Sequence, residues 1–218
     1  MATHILVIGA TGQSGLDFCT AALKDGYKLT LYLRNPSKLP AEISGNKDVT
    51  VVKGTLEDEA AVKQVIASGA TIFISFAGPV GSSKGTPVTD FHRFALPLLV
   101  EHKYQRALIL CTPSYHAPKD KGGLKWRLSV MLIKIIGGSA YQEFSGLGAL
   151  VASQDTAALK WTIFRVGFLG NGEVKPVKAT FTGSGEDGIG ISRKSIAAWV
   201  LAEIKEEKWV GEAPLLCN

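Results

Sequence analysis

The stretch that decides the fold is LVIGATGQSG, residues 6–15. An apolar run leads into a turn that contains Gly9, Gly12 and Gly15, and helical spacing of apolar residues continues to residue 24. A glycine-rich turn between a buried strand and a helix brings backbone amides close to phosphate groups. This placement predicts a dinucleotide-binding turn, whereas the glycine spacing alone would be a weak signal.

The three glycines have different expected roles. Gly9 permits the tight turn, and Gly12 lets the backbone approach a pyrophosphate with no side chain in between. Gly15 lets the helix pack closely against the strand. The spacing is Gly-x-x-Gly-x-x-Gly rather than the tighter Gly-x-Gly-x-x-Gly. An ordinary glycine-rich turn is the alternative interpretation.

The composition is typical of one globular domain. The chain has 218 residues, of which 46% are hydrophobic and 20% charged, so a single core is expected and disorder is excluded as a class. The formal net charge of +5 favours an anionic ligand. Lys and Arg are nevertheless scattered, with few aromatics among them, so we expect no nucleic-acid partner.

The cysteines and the first residues indicate the compartment. Cys19, Cys111 and Cys217 lie far apart, with no CxxC pair and no histidine cluster, which disfavours disulfides and a zinc site; no metal is expected. The start MATHILVIG lacks the charged beginning and long apolar middle of a signal peptide. No apolar run approaches the ~20 residues that span a bilayer. We expect a cytoplasmic protein without a spanning segment.

Apolar strands alternate with amphipathic helices along the chain. This order predicts an α/β fold with a doubly wound, mostly parallel sheet and helices on both faces. The loop-rich final third predicts a small C-terminal lobe on the substrate side. The predicted strands are 5–8, 28–33, 49–52, 71–76, 106–111 and 161–166, and the predicted helices are 13–24, 57–67, 90–103 and 196–204, with Pro97 kinking or resetting the third.

The end of the second predicted strand bears on the cofactor. A free ribose 2′-hydroxyl usually meets an acidic residue ~20 residues past the glycines, but this chain has Leu33-Arg34-Asn35 there. The planar guanidinium of Arg34 can pair with a 2′-phosphate, and Ser37 and Lys38 can assist. The pattern favours NADP(H) over NAD(H). The alternative is that Arg34 is merely solvated after a strand.

Several motifs together resemble one protein family. GATGQSG, LRNPSKL, TIFISFAGP, ALILCTPS and ISRKSIAAWVL resemble the atypical short-chain dehydrogenase/reductases, within the NmrA-like group that includes flavin/biliverdin reductases. The match covers nearly the whole chain, although the glycine motif alone is specific. The resemblance implies a single Rossmann-like NADP(H)-binding domain over residues 1–218, with a cofactor half of about 1–112 and substrate-side elements over about 113–218.

The resemblance also implies which residues contact the cofactor. Arg34 would bind the 2′-phosphate, and Thr55 would line the crevice where many relatives carry an acid. The diphosphate would be held by Gly9, Thr11, Gly12, Gln13, Ser14 and Gly15, and the adenine or nicotinamide halves would be flanked by Leu56, Phe76, Ala77, Gly78 and Thr112.

The catalytic tyrosine-lysine pair of standard short-chain dehydrogenases is expected to be absent. That pair needs Tyr-x-x-x-Lys on one helical face, where the lysine lowers the pKa of the tyrosine. Tyr115 and Lys119 have the spacing, but Pro118 and the preceding strand argue against a helix there. Tyr141 has Ser145 where lysine would be needed.

Three residues at the end of the fifth predicted strand are the catalytic candidates. Ser114 or Tyr115 can hydrogen-bond a substrate carbonyl, and His116 can transfer a proton near neutral pH. A nicotinamide ring is expected to end at this position. The alternative is that all three are loop residues whose polar groups bond to the backbone.

The apolar segment 122–138 admits three interpretations. It covers an apolar substrate with its glycine pairs as hinges, packs on a partner subunit of a homodimer, or lies on a membrane surface. In the first case Trp126 and Met131, together with Tyr141, would line a pocket for a flat apolar organic substrate.

Three functions remain open at this point. The favoured one is an NADPH-dependent reductase of an apolar carbonyl, enone, quinone or flavin-type acceptor. The second is an NmrA-like NADP-binding regulatory protein without turnover. The third is a non-redox isomerase or cyclase that reuses the pocket, since fold alone does not choose between them.

Overall fold

The computed structural model describes residues 3–79, 85–123, 126, 128, 131 and 139–218. Its strands are β1 His4–Ile8, β2 Lys28–Leu33, β3 Val49–Lys53, β4 Ile72–Ser75, β5 Arg106–Cys111, β6 Lys160–Val166, β7 Phe168–Gly170, β8 Lys178–Thr180, β9 Gly190–Ser192 and β10 Leu215–Cys217. Its bounded α-helices are α1 Gln13–Lys24, α2 Ala41–Ser44, α3 Glu59–Ile66, α4 Pro87–Glu101, α5 Ser139–Ala152 and α6 Arg193–Glu206, and a 3-10 turn spans Pro36–Lys38.

Eight of these strands form one sheet in the order β3-β2-β1-β4-β5-β6-β10-β8. All neighbouring pairs are parallel except β10 and β8, which are antiparallel at one edge. The strand order reverses between β1 and β4, which is where ligands bind in open parallel sheets. The predicted doubly wound α/β fold is confirmed, and both halves of the chain contribute strands to the same sheet.

Helices cover the sheet in two layers. One contains α1 and α6, which pack against each other, and the other contains α4 packed on α3 and α5. The central strands are apolar throughout because both of their faces are covered; every residue of β5 is buried. No helix within the described ranges is long and apolar enough to cross a membrane.

Two features differ from the sequence expectations. Helix α5 was not predicted, because Gly146 and Gly148 interrupt its helical pattern. Helix α4 continues through Pro97 and begins at Pro87, three residues earlier than predicted. Proline suits the first turn of a helix, where its missing N–H leaves no bond unmade. The strands β7 to β10 have three residues each, too few for a periodicity to show.

A buried ion pair closes the amino end of the sheet. Arg106 at the start of β5 donates to Glu203 of α6 at 2.6 Å, and both side chains are 2% exposed. Arg106 also donates to the Thr162 hydroxyl and the Lys160 carbonyl of β6, and the Trp209 amide donates to Glu203. A buried charge is tolerated when it is paired and hydrogen-bonded in this way.

Candidate functional site

The glycine turn is pressed against the end of β4. Gly9 has φ +78°, and a Cβ there would lie 2.7 Å from the Phe76 carbonyl carbon and 2.8 Å from the Ala77 nitrogen. A Cβ at Gly15 would lie 2.4 Å from the Gly9 carbonyl oxygen. Real Cβ atoms do not approach so closely, so the protein's own packing excludes side chains at Gly9 and Gly15.

Gly12 differs from the other two glycines of the turn. It is the N-cap of α1 with φ −76° and ψ 155°, which any residue adopts. A Cβ there would meet one described atom within 4 Å, the Gly9 carbonyl oxygen at 3.5 Å. Packing therefore does not require glycine at this position, and the absence of a side chain leaves space beside the helix start.

The first turn of α1 is available to an anion. It carries no side-chain cap and no acidic residue. The amides of Gln13, Ser14 and Gly15 are among those that a helix leaves without an intrahelical acceptor, and the helix dipole adds positive potential there. Ser14 is buried, Thr11 is half-buried, and the Gln13 side chain is exposed and donates to Asp17 at 3.2 Å. This turn has the geometry to hold a diphosphate.

The ends of β2 and β3 are tied together on the other side of β1. The Tyr32 hydroxyl donates to the Thr55 carbonyl at 2.6 Å, and its ring occupies the space that a side chain at Gly54 would need. Burial raises the pKa of Tyr32 to about 12, and the nearby Asp58 and Glu57 add to the effect. The hydroxyl is therefore a donor at neutral pH.

The side chains proposed to meet the adenosine end lie close to that contact in the chain. Arg34 follows β2 directly and is exposed, as is Thr55, while Leu56 is half-buried. The Asn35 side-chain oxygen accepts from the Ser37 amide and hydroxyl, at 3.2 and 2.7 Å. These bonds fix the turn after Arg34 without using its guanidinium.

The end of β4 lies between the glycine turn that follows β1 and the turn that follows β5. Phe76 and Ala77 are buried, and Gly78 is half-buried, where a Cβ would lie 3.4 Å from the Phe144 ring of α5. The Phe76 ring also packs on Phe18 of α1 and on Phe164 of β6, at centroid distances of 5.3 and 5.7 Å. The residues at the end of β4 therefore contribute an aromatic and apolar surface.

The end of β5 contains a buried hydroxyl without a hydrogen bond. Ser114 is 5% exposed, and its Oγ has no hydrogen-bond partner among the described residues. Its amide donates to the Thr112 hydroxyl at 3.3 Å, which orients the turn. A buried hydroxyl left unpaired costs about 1–3 kcal/mol, so such a group is retained at a cost in stability.

Tyr115 and His116 follow in the same turn and differ from each other. The Tyr115 ring occupies the space that a side chain at Gly148 of α5 would need. Burial raises the pKa of the Tyr115 hydroxyl, although the positive charge of Arg165 acts to lower it. The His116 ring is 71% exposed and lies 3.7 Å from Asp120. Residues 115–119 contain a bend and a turn and no helix, so Tyr115 and Lys119 do not share a helical face.

A second buried ion pair lies beside this turn. Arg165 of β6 binds both carboxylate oxygens of Asp120, at 2.6 and 2.8 Å, and the two side chains are 0% and 1% exposed. Burial alone would raise the pKa of Asp120, but the hydrogen bonds and charge of Arg165, with amides of Thr182 and Ala117, hold it below its ordinary value. The carboxylate is therefore ionised.

The three predicted substrate-side residues lie in different settings. Trp126 is buried and its indole N–H donates to Asp187, Met131 is 58% exposed, and Tyr141 is half-buried in the first turn of α5. Most of the segment 122–138 lies outside the described residues. A shared substrate pocket of Trp126, Met131 and Tyr141 stays a prediction.

Two functional candidates were missed in the sequence. Phe168 is 69% exposed and lies directly beyond the carboxyl end of β6, the neighbour of β5. Its signal was an aromatic residue between two glycines at a strand end. The other is the Arg165–Asp120 pair, whose signal was an arginine within the apolar strand WTIFRV.

The helix that follows the β4 loop is bonded to a carboxylate from another helix. Glu143 of α5 is fully buried and accepts from the first-turn amides of α4, Val88 at 3.0 Å and Thr89 at 2.7 Å. The Thr89 hydroxyl lies 2.6 Å from the same carboxylate. The contact joins α5 to the start of α4.

Known structures share this fold across nearly their whole length. ChuY, an anaerobilin reductase from Escherichia coli O157:H7, superposes with a TM-score of 0.76 at 17% identity, over 98% of this chain and 96% of its own. A Rossmann-fold NAD(P)-binding family protein from Shigella flexneri gives 0.75 at 19% identity, over 100% and 94%. An oxidoreductase from Lactococcus lactis gives 0.76 at 16% identity, over 99% and 91%.

The sequence itself matches a family model described as NAD(P)H-binding over residues 9–207. The matched region begins at the first glycine of the turn and extends past the end of α6, so it includes six of the eight strands of the main sheet, all but β1 and β10. The chain therefore belongs to the NAD(P)H-binding family, and the similar structures share its Rossmann-like fold, as the resemblance found in the sequence implied.

Proposed function

We propose that the protein is an NADPH-dependent reductase of an apolar carbonyl, enone, quinone or flavin-type acceptor. The observation that carries the proposal is the buried Ser114 Oγ at the carboxyl end of β5, which is unpaired among the described residues. It lies two strands from β1 and its glycine turn, about 10 Å across the sheet. A hydroxyl to which no described residue is bonded can donate to an acceptor oxygen.

The cofactor half of the proposal starts from the glycine turn. The bare Gly12 and the uncapped first turn of α1 suit a diphosphate, and Gly9 and Gly15 keep the turn in contact with β4 and α1. When bound, a reduced nicotinamide supplies a hydride. The exposed Arg34, with Ser37 and Lys38 beside it, favours NADP(H) over NAD(H) because a guanidinium binds a phosphate in a planar fork.

The substrate half of the proposal relies on donors and an apolar surface. Ser114 holds the acceptor oxygen, and Tyr115 is a second hydroxyl donor, whose pKa burial raises further above neutral. Phe168 offers an exposed aromatic face beside the same edge of the sheet. Where the acceptor is a flavin or a similar dye, solvent supplies the proton, so a tyrosine-lysine pair is not needed. The anaerobilin reductase among the similar structures is a reductase built on this fold.

The setting in the cell follows the same proposal. The three cysteines are free and buried, which suits a reducing, cytoplasmic environment. The partner is a small apolar organic molecule, and a homodimer through the 122–138 segment remains part of the proposal.

The test is loss of the NADPH absorbance band with a panel of quinones, flavins, enones and apolar carbonyls. Oxidation of NADPH that depends on protein and acceptor supports the proposal. Binding of NADPH with no oxidation across the panel overturns it and supports a regulatory protein. Conversion of an acceptor with no net loss of NADPH overturns it too, and supports an isomerase or cyclase.

A further inference from the structure

The Asp120–Arg165 pair is bonded to both ends of the turn that carries the catalytic candidates. Arg165 Nη1 donates to the Tyr115 carbonyl at 3.1 Å, and the Ala117 amide donates to Asp120 at 2.8 Å. The segment 115–117 thus lies between two hydrogen bonds to one buried ion pair. Ser114 immediately precedes the first of them.

The same pair connects this turn to two other parts of the chain. The Thr182 amide donates to Asp120 at 2.9 Å, and Arg165 Nε donates to the Ala213 carbonyl at 2.8 Å. The backbone beyond Asp120 is also bonded to that region, because the Lys121 amide donates to the Thr182 carbonyl at 2.9 Å. The residues of the turn lie outside any helix or strand, and the Asp120–Arg165 pair adds side-chain bonds to the backbone bonds that hold the turn.

The Arg106–Glu203 pair is a buried ion pair of the same kind that lies away from the candidate site. Its arginine lies on β5 and also bonds to β6, and the pair is nearly as deeply buried. Its bonds end on Lys160, Thr162 and Trp209, at the amino end of the sheet. The two pairs are thus similar in chemistry and burial, and differ in whether they contact the turn at residues 114–117.

We infer that Asp120 and Arg165 are positioning residues for catalysis, which hold Ser114 and Tyr115 in the geometry that the acceptor requires. The inference rests on the proposed reductase function. It follows from fixed geometry: a donor set in place before reaction stabilises the transition state, and a misplacement of about 1 Å costs about 100-fold in rate. Neither residue is assigned any contact with substrate.

The experiment compares Asp120→Asn with Glu203→Gln. An amide has one acceptor oxygen, so the new side chain in Asp120→Asn cannot accept from Arg165, Ala117 and Thr182 together, while its shape stays almost the same. We expect kcat of Asp120→Asn to fall by about 10- to 100-fold with the acceptor found in the panel. The Kd for NADPH should stay within about twofold, since the glycine turn and Arg34 share no contact with the pair.

Glu203→Gln is the matched control, because it removes the same charge from a similarly buried pair. It should lower Tm by a comparable amount and leave kcat unchanged. Hydrogen exchange of the Ala117 and Thr182 amides, which bond directly to Asp120, gives a readout independent of turnover. The two amides bond to different oxygens of Asp120, so at least one of them should exchange faster in Asp120→Asn, and both should exchange at the wild-type rate in Glu203→Gln.

Arg165→Lys is the second variant, and it decides the question if Asp120→Asn does not fold. Lysine keeps the charge but lacks the planar fork that reaches Asp120, Tyr115 and Ala213 at once, so the same loss of kcat is expected. Unchanged kcat in the variants, or an equal loss in Glu203→Gln, overturns the inference. If the wild-type protein oxidises NADPH with none of the panel acceptors, the reductase proposal fails, whereas unchanged exchange of Ala117 and Thr182 separately refutes the positioning role.

Discussion

The Gly9 carbonyl oxygen occupies the place where a side chain at Gly15 would begin, 2.4 Å from the position of a Cβ there. Gly12, three residues before Gly15, has no neighbour so close. Two glycines of one turn are therefore glycine for different reasons. Gly15 lets α1 pack against Gly9 and Ala10 of the turn, whereas Gly12 leaves open space beside the start of the helix.

A pair of substitutions separates these reasons. Gly15→Ala should lower the free energy of unfolding by about 1–3 kcal/mol, because the added methyl group forces α1 away from the turn. Gly12→Ser should leave it unchanged or raise it slightly, since serine is a favoured N-cap in this backbone geometry. Urea unfolding measures both changes, and equal losses at the two positions would contradict the distinction.

The cofactor consequence of Gly12→Ser is the opposite of its effect on stability. The serine side chain would stand where a phosphate approaches the first turn of α1, so we expect NADPH affinity to fall by about 10-fold or more. Isothermal titration calorimetry on the folded variant measures it. Unchanged affinity would remove Gly12 from the phosphate site.

Arg34→Ala should weaken NADPH binding and leave NADH binding nearly unchanged. The guanidinium can pair with the 2′-phosphate that NADH lacks, and a charge-assisted bond of this kind contributes about 1.5–3 kcal/mol, or about 10- to 100-fold in Kd. The matched control is Lys47→Ala. It removes an exposed cation just before β3, at the amino end of the sheet, whereas Arg34 lies at the carboxyl end of β2. Equal losses for both nucleotides would remove the case for 2′-phosphate recognition.

Ser114→Ala should move activity and stability in opposite directions. The variant removes a buried hydroxyl that has no partner among the described residues, so the free energy of unfolding should stay level or rise by about 1 kcal/mol. The rate should fall by about 100-fold if the hydroxyl donates to the acceptor oxygen in the transition state. Activity close to wild type would show that Ser114 is not the donor.

His92 should make the protein sensitive to acid. Burial lowers the pKa of its imidazole from 6.5 to about 4, although a hydrogen bond to the Val88 carbonyl opposes the shift. Between these two values the unfolded chain takes up a proton that the folded chain does not, so stability is lost as pH falls from about 6.5 towards 4. The loss should total about 3 kcal/mol.

The His92→Phe variant isolates that contribution. Phenylalanine keeps a ring against Phe73 and Phe91, which lie edge-on to the imidazole at centroid distances of 5.9 and 5.1 Å. Urea unfolding of both proteins at neutral pH and near pH 4 should show a smaller drop for the variant. Parallel drops would indicate that the imidazole is protonated in the folded state.

The sequence predicted those parts of the fold that local pattern controls. The helix at residues 13–24 and the strands at 28–33 and 106–111 have the predicted bounds, because buried strands are continuous apolar runs and the helix lies between Gly12 and Gly26. Helix α5 was not predicted because its sequence lacks a clear local helical pattern. Its glycines serve tertiary contacts, Gly148 against Tyr115, and so weaken the local signal.

Only the parts of the candidate site that lie within one short stretch of sequence could be predicted. The glycine turn and Ser114 are marked by a motif and by a strand end. That Ser114 has no partner among the described residues, or that Asp120 meets Arg165 across 45 positions of sequence, depends on how distant segments pack. The arginine in an apolar strand implied a buried partner without revealing which acid it was.

The Glu143 carboxylate makes the start of α4 electrostatically different from the start of α1. It satisfies the leading amides of α4 with the protein's own negative charge, while those of α1 carry no such cap. The diphosphate of a dinucleotide is thus expected at the start of α1, whose leading amides have no side-chain acceptor, and not at the start of α4, whose leading amides Glu143 already occupies. The choice between two similar helix starts is made by the protein's own side chains.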